Sequence, residues 1–377
     1  MPGKLSFQPV CYTFGMKIKG MFAGENSLLD YLHSNIENFL STTKATVGHL
    51  EPEYLLAKKE TLKGWLVIIA AFIVIWGSFY FLDEDSSFDL SGVGVTVIIF
   101  VIIGSFIAIY KAWRLIQRAS KVIVKFNQEL NKFLWPMIFK IFALDSEVIP
   151  GEVLWASQMS SRISYTINQS DISSVLMGSE LITEKFNTST VDDVIVTSLG
   201  NNKLKFAELD IKNITGSGKN RQVKNIFKGY FVEFDLDINL KGKTFVSTDG
   251  DRKGFGHQSF WDKFTKNGDE VRPTQLEWNQ FEDLLHVATS DPTEARYVLS
   301  PSFMNDLYKW WSGRKMNIRI SFIGNKMYML FPDKNVQFGR TIGKISEGEL
   351  LTYLEKIAPP VMHILHLVED VQLQFNR

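Results

Sequence analysis

A single cysteine, Cys11, stands among 377 residues. One thiol excludes an intrachain disulfide and any CxxC metal or redox site, and it fits a reducing compartment. Net charge is also absent: 41 lysines and arginines balance 41 aspartates and glutamates. Without a basic excess, the chain is not expected to bind nucleic acid. The N-terminus has no basic stretch leading into a short apolar core, so no signal peptide is expected. Catalytic patterns are equally scarce. Thr215-Gly216-Ser217-Gly218-Lys219-Asn220 superficially resembles a phosphate loop. The pattern GxxxxGK[ST] needs glycine where Asn213 stands and a hydroxyl where Asn220 stands, and a plain turn is the better reading. Asp249-Gly250-Asp251, with Gly254 and Gly256, lacks the remaining ligands of a calcium loop and reads as a solvated turn. His363 and His366 sit three apart but have no HExxH spacing, and no GxSxG elbow marks a nucleophile. No catalytic residue, cofactor or metal is expected.

Long apolar runs are present. Trp65–Leu82 and Leu90–Tyr110 contain 18 and 21 residues without a charge. At 1.5 Å per residue they span roughly 27 and 31 Å, close to the hydrocarbon thickness of a bilayer. The alternative is a pair of buried core helices, but two such runs rarely follow one another in a soluble chain. The link Asp83-Glu84-Asp85-Ser86-Ser87-Phe88-Asp89 carries four acids and no base. Lys58, Lys59 and Lys63 precede the runs, and Lys111, Arg114, Arg118, Lys121 and Lys125 follow them. Basic flanks stay in the cytoplasm, so the pattern predicts a multi-pass inner-membrane hairpin with both termini cytoplasmic. Trp65, Phe79, Tyr80, Phe81, Tyr110 and Trp113 sit at the ends of the runs, where aromatic rings favour the interface. Gly104 and Ala108 form a small-xxx-small pair suited to close helix approach, or to plain lipid contact.

Beyond the second run, Lys111, Arg114, Arg118, Lys121, Lys125 and Lys132 share one helical face, and Leu115, Ala119, Val122, Phe126 and Phe133 share another. This predicts an amphipathic stalk. Its basic stripe is either a solvated face and topology signal or a contact to anionic lipid. Lys125 lies about 21 Å beyond Lys111 along a straight helix, so only the first charges would feel headgroups within a Debye length of about 8 Å. Ser27 is expected to cap a helix carrying Leu29, Leu32, Ile36 and Phe39. Ser346 and Glu349 have capping-box spacing before a helix bearing Leu350, Leu354, Ile357, Val361, Leu365 and Val368, with an interruption at Pro359-Pro360.

Between these helices the pattern turns strand-rich. Val191 to Asn213 reads as a hairpin around Gly200-Asn201-Asn202, Tyr230 to Ile238 as a half-buried strand, and Lys315 to Phe331 as a hairpin around Gly324-Asn325. Asp291, Pro292 and Glu294 suit the start of one helix, and Ser300-Pro301 the start of another running to Trp310-Trp311. The organisation expected is α+β: an N-terminal cytoplasmic segment (1–60), the hairpin (61–113), a juxtamembrane helix (114–145), a cytoplasmic α+β domain (146–345) and a C-terminal helix (346–377).

Several blocks are familiar: Phe227-Lys228-Gly229-Tyr230-Phe231, Gly242-Lys243-Thr244, Glu294-Ala295-Arg296-Tyr297-Val298-Leu299-Ser300-Pro301-Ser302-Phe303-Met304, Ile320-Ser321-Phe322 and Lys326-Met327-Tyr328-Met329. They resemble a bacterial family catalogued as domain of unknown function thirty-one thirty-seven. The resemblance implies an N-terminal transmembrane hairpin, and it implies no activity, cofactor or catalytic residue.

The remaining candidates are Trp310, Trp311, Arg314 and Lys315. Tryptophan and arginine are enriched at binding hot spots, while core packing of at least one indole is the competing explanation. The sequence therefore points to a membrane-anchored binding or scaffolding module whose partners are the lipid bilayer and a protein, or a second copy of the chain. A membrane-tethered enzyme with its site hidden in the α+β domain is the alternative. Transport is the weakest reading, because neither run contains the intramembrane charge that marks a pathway.

Overall fold

The computed structural model describes residues 18–22, 24–82, 92–142, 144, 146–149, 172–191, 194–199, 201–248, 260, 264, 270–276, 278–282, 284–314, 317–332 and 342–375. They form two compact units. One comprises Met1–Asn35, Leu134–Arg340 and Leu351–Arg377; the other comprises Ile36–Phe133 and Thr341–Leu350. The link 83–89 and the turn-like segment 249–256 lie outside the described residues.

The helices come first: α1 (Ile18–Met21), α2 (Glu25–Val47), α3 (Glu51–Leu82) and α4 (Gly92–Ile141). Ser27 does not cap α2. The helix already begins at Glu25, and the Ser27 hydroxyl donates to the Gly24 carbonyl and accepts from the Gly24 amide at 2.8 and 3.2 Å. A serine within the first turn can reach back to the same orphan groups, which is why the sequence alone misplaced the start.

In the second unit α3 and α4 are antiparallel neighbours. Tyr54, Ala57, Gly64, Ile68, Ala71 and Ser78 are buried along α3, and Ser105, Ala112, Ala119 and Phe126 along α4. These spacings are those of a heptad seam, here built mostly from small residues. Tyr54 stacks on Phe126 with centroids 4.3 Å apart. A Cβ placed on Gly64 would come within 2.6 Å of Ile116 Cγ1 and 3.3 Å of the Ala112 carbonyl oxygen. Gly64, not Gly104, is therefore the position that admits close approach; a Cβ on Gly104 would meet nothing within 4 Å. The seam hydroxyls stay within their own helices, Ser78 donating to the Val74 carbonyl and Ser105 to that of Val101, both at 2.8 Å.

The outward faces are apolar. Phe72, Ile73, Trp76 and Phe79 on α3, and Phe100, Phe106 and Ile107 on α4, are all exposed. Both helices are long and apolar enough to cross a membrane, and only 22% and 6% of their most hydrophobic windows are buried. A soluble core helix would show the reverse. Lys111, Arg114, Arg118, Lys121, Lys125 and Lys132 are exposed along the continuation of α4, as expected of a stalk.

The other unit is built on one ten-stranded antiparallel sheet. Its strands are β1 (Ser146–Ile149), β2 (Thr188–Val191), β3 (Val194–Leu199), β4 (Asn202–Thr215), β5 (Gln222–Asp235), β6 (Lys243–Thr248), β7 (Arg272–Pro273), β8 (Leu285–Thr289), β9 (Arg319–Ile323) and β10 (Lys326–Pro332). The order is β1-β3-β4-β5-β10-β9-β6-β8-β7, with β2 also on β4. The two expected hairpins are β3–β4 and β9–β10. Gly324, at φ 60°, supplies the left-handed residue that the second turn needs. Short helices α5 (Ile172–Ser179), α6 (Asn279–Glu282), α7 (Pro292–Val298) and α8 (Pro301–Arg314), then the long α9 (Glu347–Phe375), complete the elements among the described residues.

Alternation along the strands gives the sheet two apolar faces. On one, Trp135 and Phe139 from the end of α4 pack against Phe206 at 6.2 and 6.3 Å, and Phe303 of α8 meets Phe322. α9 lies on this side too: Gln372 donates to the Leu199 carbonyl, and Ser302 of α8 to Asp370. On the other face Phe231, Phe245, Phe260, Phe264 and Leu330 form a core with Ile172, Leu176 and Leu181. Buried Arg319 donates to the Leu181 carbonyl at 2.8 Å and Ser321 to that of Ser179 at 2.7 Å, fastening α5 to the sheet.

Pro359 and Pro360 do not interrupt α9, which runs unbroken to Phe375. Leu350, Leu354, Ile357, Val361, Leu365 and Val368 are all buried along it, and that stripe outweighs the lost backbone bonds. Its start also differs from a capping box: Glu349 accepts from the Lys344 amide at 2.9 Å.

Candidate functional site

The expected binding turn falls at the end of α8. Met304 and Leu307 are buried, and Trp311, seven and four residues on, continues that stripe half-buried. Trp310 and Arg314 also belong to α8, but their side chains, and all of Lys315, lie outside the described residues. One turn earlier, partly buried Tyr308 packs on Trp278 at 5.4 Å, and Trp278 stacks on Phe281 at 5.8 Å. Trp278, Tyr308 and Trp311 are thus half-accessible aromatics on or against the end of one helix. Sequence reading missed Trp278, because its nearness to α8 depends on the sheet that separates them in the chain.

α7 shows what the most recognisable sequence block does. Asp291 caps the helix, accepting from the Thr293 and Glu294 amides at 2.8 and 3.1 Å, with Pro292 in the first turn. Glu294 reaches instead to the Lys241 and Gly242 amides at 3.0 and 2.7 Å. Gly242 is obligatory there, since a Cβ would sit 2.9 Å from both Asp291 Cβ and Ser290 Oγ. Ser290 accepts from the Lys243 amide, and Thr244 and Thr289 share a bond at 3.0 Å. The blocks Gly242-Lys243-Thr244 and Glu294 to Met304 are two halves of one latch that holds the β5–β6 connection on α7.

The sheet also carries a charged row that the sequence did not disclose. Lys205 of β4, Glu233 and Asp235 of β5, and Lys326 of β10 meet side by side through strand register. Buried Glu233 accepts from Lys205 at 2.9 Å and from Lys326 at 2.7 Å, and Lys326 also reaches Asp235 at 2.6 Å. The second Glu233 oxygen, Oε2, is buried without a protein partner. Burial alone would lower the Lys326 pKa, but the hydrogen bonds that its ammonium donates to Asp235 and Glu233 overcome it and raise the pKa. Tyr328, opposite Glu233, is pushed up to about 12 by burial and then by the Glu233 carboxylate. A lysine locked as ammonium and a phenol locked neutral are poor bases at neutral pH. The row suits cross-strand clamping better than proton transfer.

The remaining candidates have modest geometry. Gly216 and Gly218 adopt φ 75° and 57° in the turn between β4 and β5, and a Cβ on Gly216 would collide with the Asn220 carbonyl. This is a tight turn, as read. His363 and His366 lie with rings 6.4 Å apart, His363 facing Glu25 at 3.6 Å. No group of three or more potential metal ligands occurs among the described residues.

Residues 225–373 match the model of a family described as Protein of unknown function (DUF3137), so this segment carries a domain of that family. The match covers the blocks from Phe227 to Met329 on which the resemblance rested. No curated protein and no solved structure matches the chain.

Proposed function

We propose that this chain is a membrane-anchored binding or scaffolding module. In this reading α3 and α4 cross the inner membrane as a hairpin, both termini lie in the cytoplasm, and the sheet unit presents the end of α8 to a protein partner. The observation that carries it is the pairing of α3 and α4 through small residues while their large apolar side chains face outward. Such a surface is stable in lipid and unfavourable in water. The half-accessible aromatics Trp278, Tyr308 and Trp311 support the partner surface, since aromatic anchors dominate binding hot spots.

The test is affinity purification of the full chain in mild detergent, with identification of co-purifying proteins, repeated for Trp311→Ala and Trp310→Ala. A contacting indole should cost at least about 2 kcal/mol of binding, roughly thirtyfold in affinity. The thermal transition should move little for that variant. Equal and severe destabilisation by both substitutions would assign the pair to the core and remove the end of α8 as a partner surface.

A further inference from the structure

β4 and β5 extend beyond their neighbours. β3 pairs with β4 only as far as Phe206, β2 as far as Lys212, and β10 with β5 only from Gly229 onward. From Asn213 to Lys224 the described structure is a two-stranded ribbon, and residues 215–218 and 220–225 are exposed. Its charge is one-sided in a chain of zero net charge. Between Glu208-Leu209-Asp210 and Glu233 there is no acid, while Lys212, Lys219, Arg221, Lys224 and Lys228 all fall there. Lys212 pairs with Asp210 at 2.6 Å, and Lys224 pairs with buried Glu184.

The register sorts these residues by face. Ile214 opposes Val223 directly. Lys212, two residues before Ile214 on β4, shares that face, and so does Arg221, the extended residue just ahead of β5 and two before Val223. Val223 is 50% exposed, and Ile214 opposite it is half-buried. The opposite face carries Asn213, Thr215, Gln222 and Lys224, which is polar. An apolar pair flanked by cations on a projecting ribbon is the chemistry of an interfacial element: the cations are drawn to anionic headgroups and the apolar side chains enter the boundary layer. Tethering by a membrane anchor would raise the local lipid concentration seen by this ribbon without any added contact.

We propose that the β4–β5 ribbon is a second membrane contact, docking on anionic phospholipid through Lys212, Ile214, Arg221 and Val223. The proposal rests on the anchored reading given above. An acidic protein surface is the competing occupant, but it gives no role to the half-exposed Val223 that lies beside Arg221 on this face.

The test uses the full chain carrying Cys11→Ser and Ser217→Cys, labelled at the turn with an environment-sensitive dye and reconstituted into nanodiscs. Discs of phosphatidylcholine alone are compared with discs containing phosphatidylglycerol. A blue shift in the anionic discs only, reversed by high salt, is expected. Arg221→Glu with Lys219→Glu should abolish it, and Val223→Asp should weaken it at unchanged charge on the flanking cations. Thermal melts in detergent show whether each variant is folded. Failure of the chain to enter discs of either kind overturns the anchor, and this proposal with it. Entry without a lipid-dependent shift overturns the ribbon contact alone, and a shift of equal size in both discs excludes recognition of anionic lipid.

Discussion

Tyr328 and Glu233 show how far a single residue's chemistry depends on register. Neither alternation nor spacing marks them as partners, because residues 95 apart are brought opposite by the β5–β10 pairing. Once they are opposed, the carboxylate and the burial both disfavour tyrosinate, and the Tyr328 pKa rises to about 12. The sign of the effect on stability follows. A raised folded pKa means that the contribution is complete below the unfolded value, near 10, and is lost as pH climbs through the folded value. The unfolding free energy should therefore be flat in this respect up to about pH 10 and fall by at most about 2–3 kcal/mol between pH 10 and 12. Denaturant melts across that range check it, and Tyr328→Phe should remove that part of the slope. A slope unchanged by the substitution would assign the loss to other groups, Tyr54 and Tyr353 among them, whose pKa values burial also raises.

At the scale of elements, most of the architecture is legible because hydrophobic period and turn chemistry act locally. The apolar runs, the α4 stalk, the β3–β4 and β9–β10 hairpins and the Asp291 cap follow from neighbouring residues alone. The failures share a cause. Pro359-Pro360 reads as a break until the buried stripe on both sides holds the helix together, and Ser27 reads as a cap until Gly24 offers its own backbone. The candidate site was legible only in part: α8 and its tryptophans follow from helical spacing, whereas Trp278 and the Lys205-Glu233-Lys326-Asp235 row arise from tertiary pairing. The α3–α4 seam belongs between these cases. Its heptad is present in the sequence but overlaid by apolar residues on every face, so Gly104 and Ala108 drew attention that Gly64 merited. Gly64→Leu should push α3 from α4, since its added carbons would meet Ile116 and the immovable Ala112 carbonyl. Overpacking of this kind costs about 1–3 kcal/mol. Gly104→Leu should be nearly neutral, since its Cβ faces open space. Thermal unfolding in one detergent compares the two, and equal losses would refute the packing assigned to Gly64.

At the scale of the molecule, the decisive quantity is the apolar surface that α3 and α4 leave uncovered. Nine large apolar side chains between Trp65 and Phe79, and nine between Val97 and Trp113, are at least 40% exposed. Leaving a large side chain in water rather than burying it forfeits about 1.5–3 kcal/mol, so the eighteen half-exposed residues together represent on the order of 20 kcal/mol. That exceeds the roughly 5–15 kcal/mol by which a folded domain is stable at all. An apolar medium around these helices resolves the conflict, and the charges then choose the direction of insertion. Eight basic residues flank the runs from Lys58 to Lys125, against four acids and no base in the link 83–89. Under the proposed hairpin, the positive-inside rule would put the flanks in the cytoplasm and the link outside. A chain carrying Cys11→Ser and Ser86→Cys should therefore react with an impermeant thiol reagent on intact spheroplasts. A matched chain with Ser120→Cys, an exposed position on the basic stretch of α4, should react only after lysis. Labelling of Ser86→Cys only after lysis would overturn the proposed orientation of the hairpin, and with it the cytoplasmic side proposed for the sheet unit.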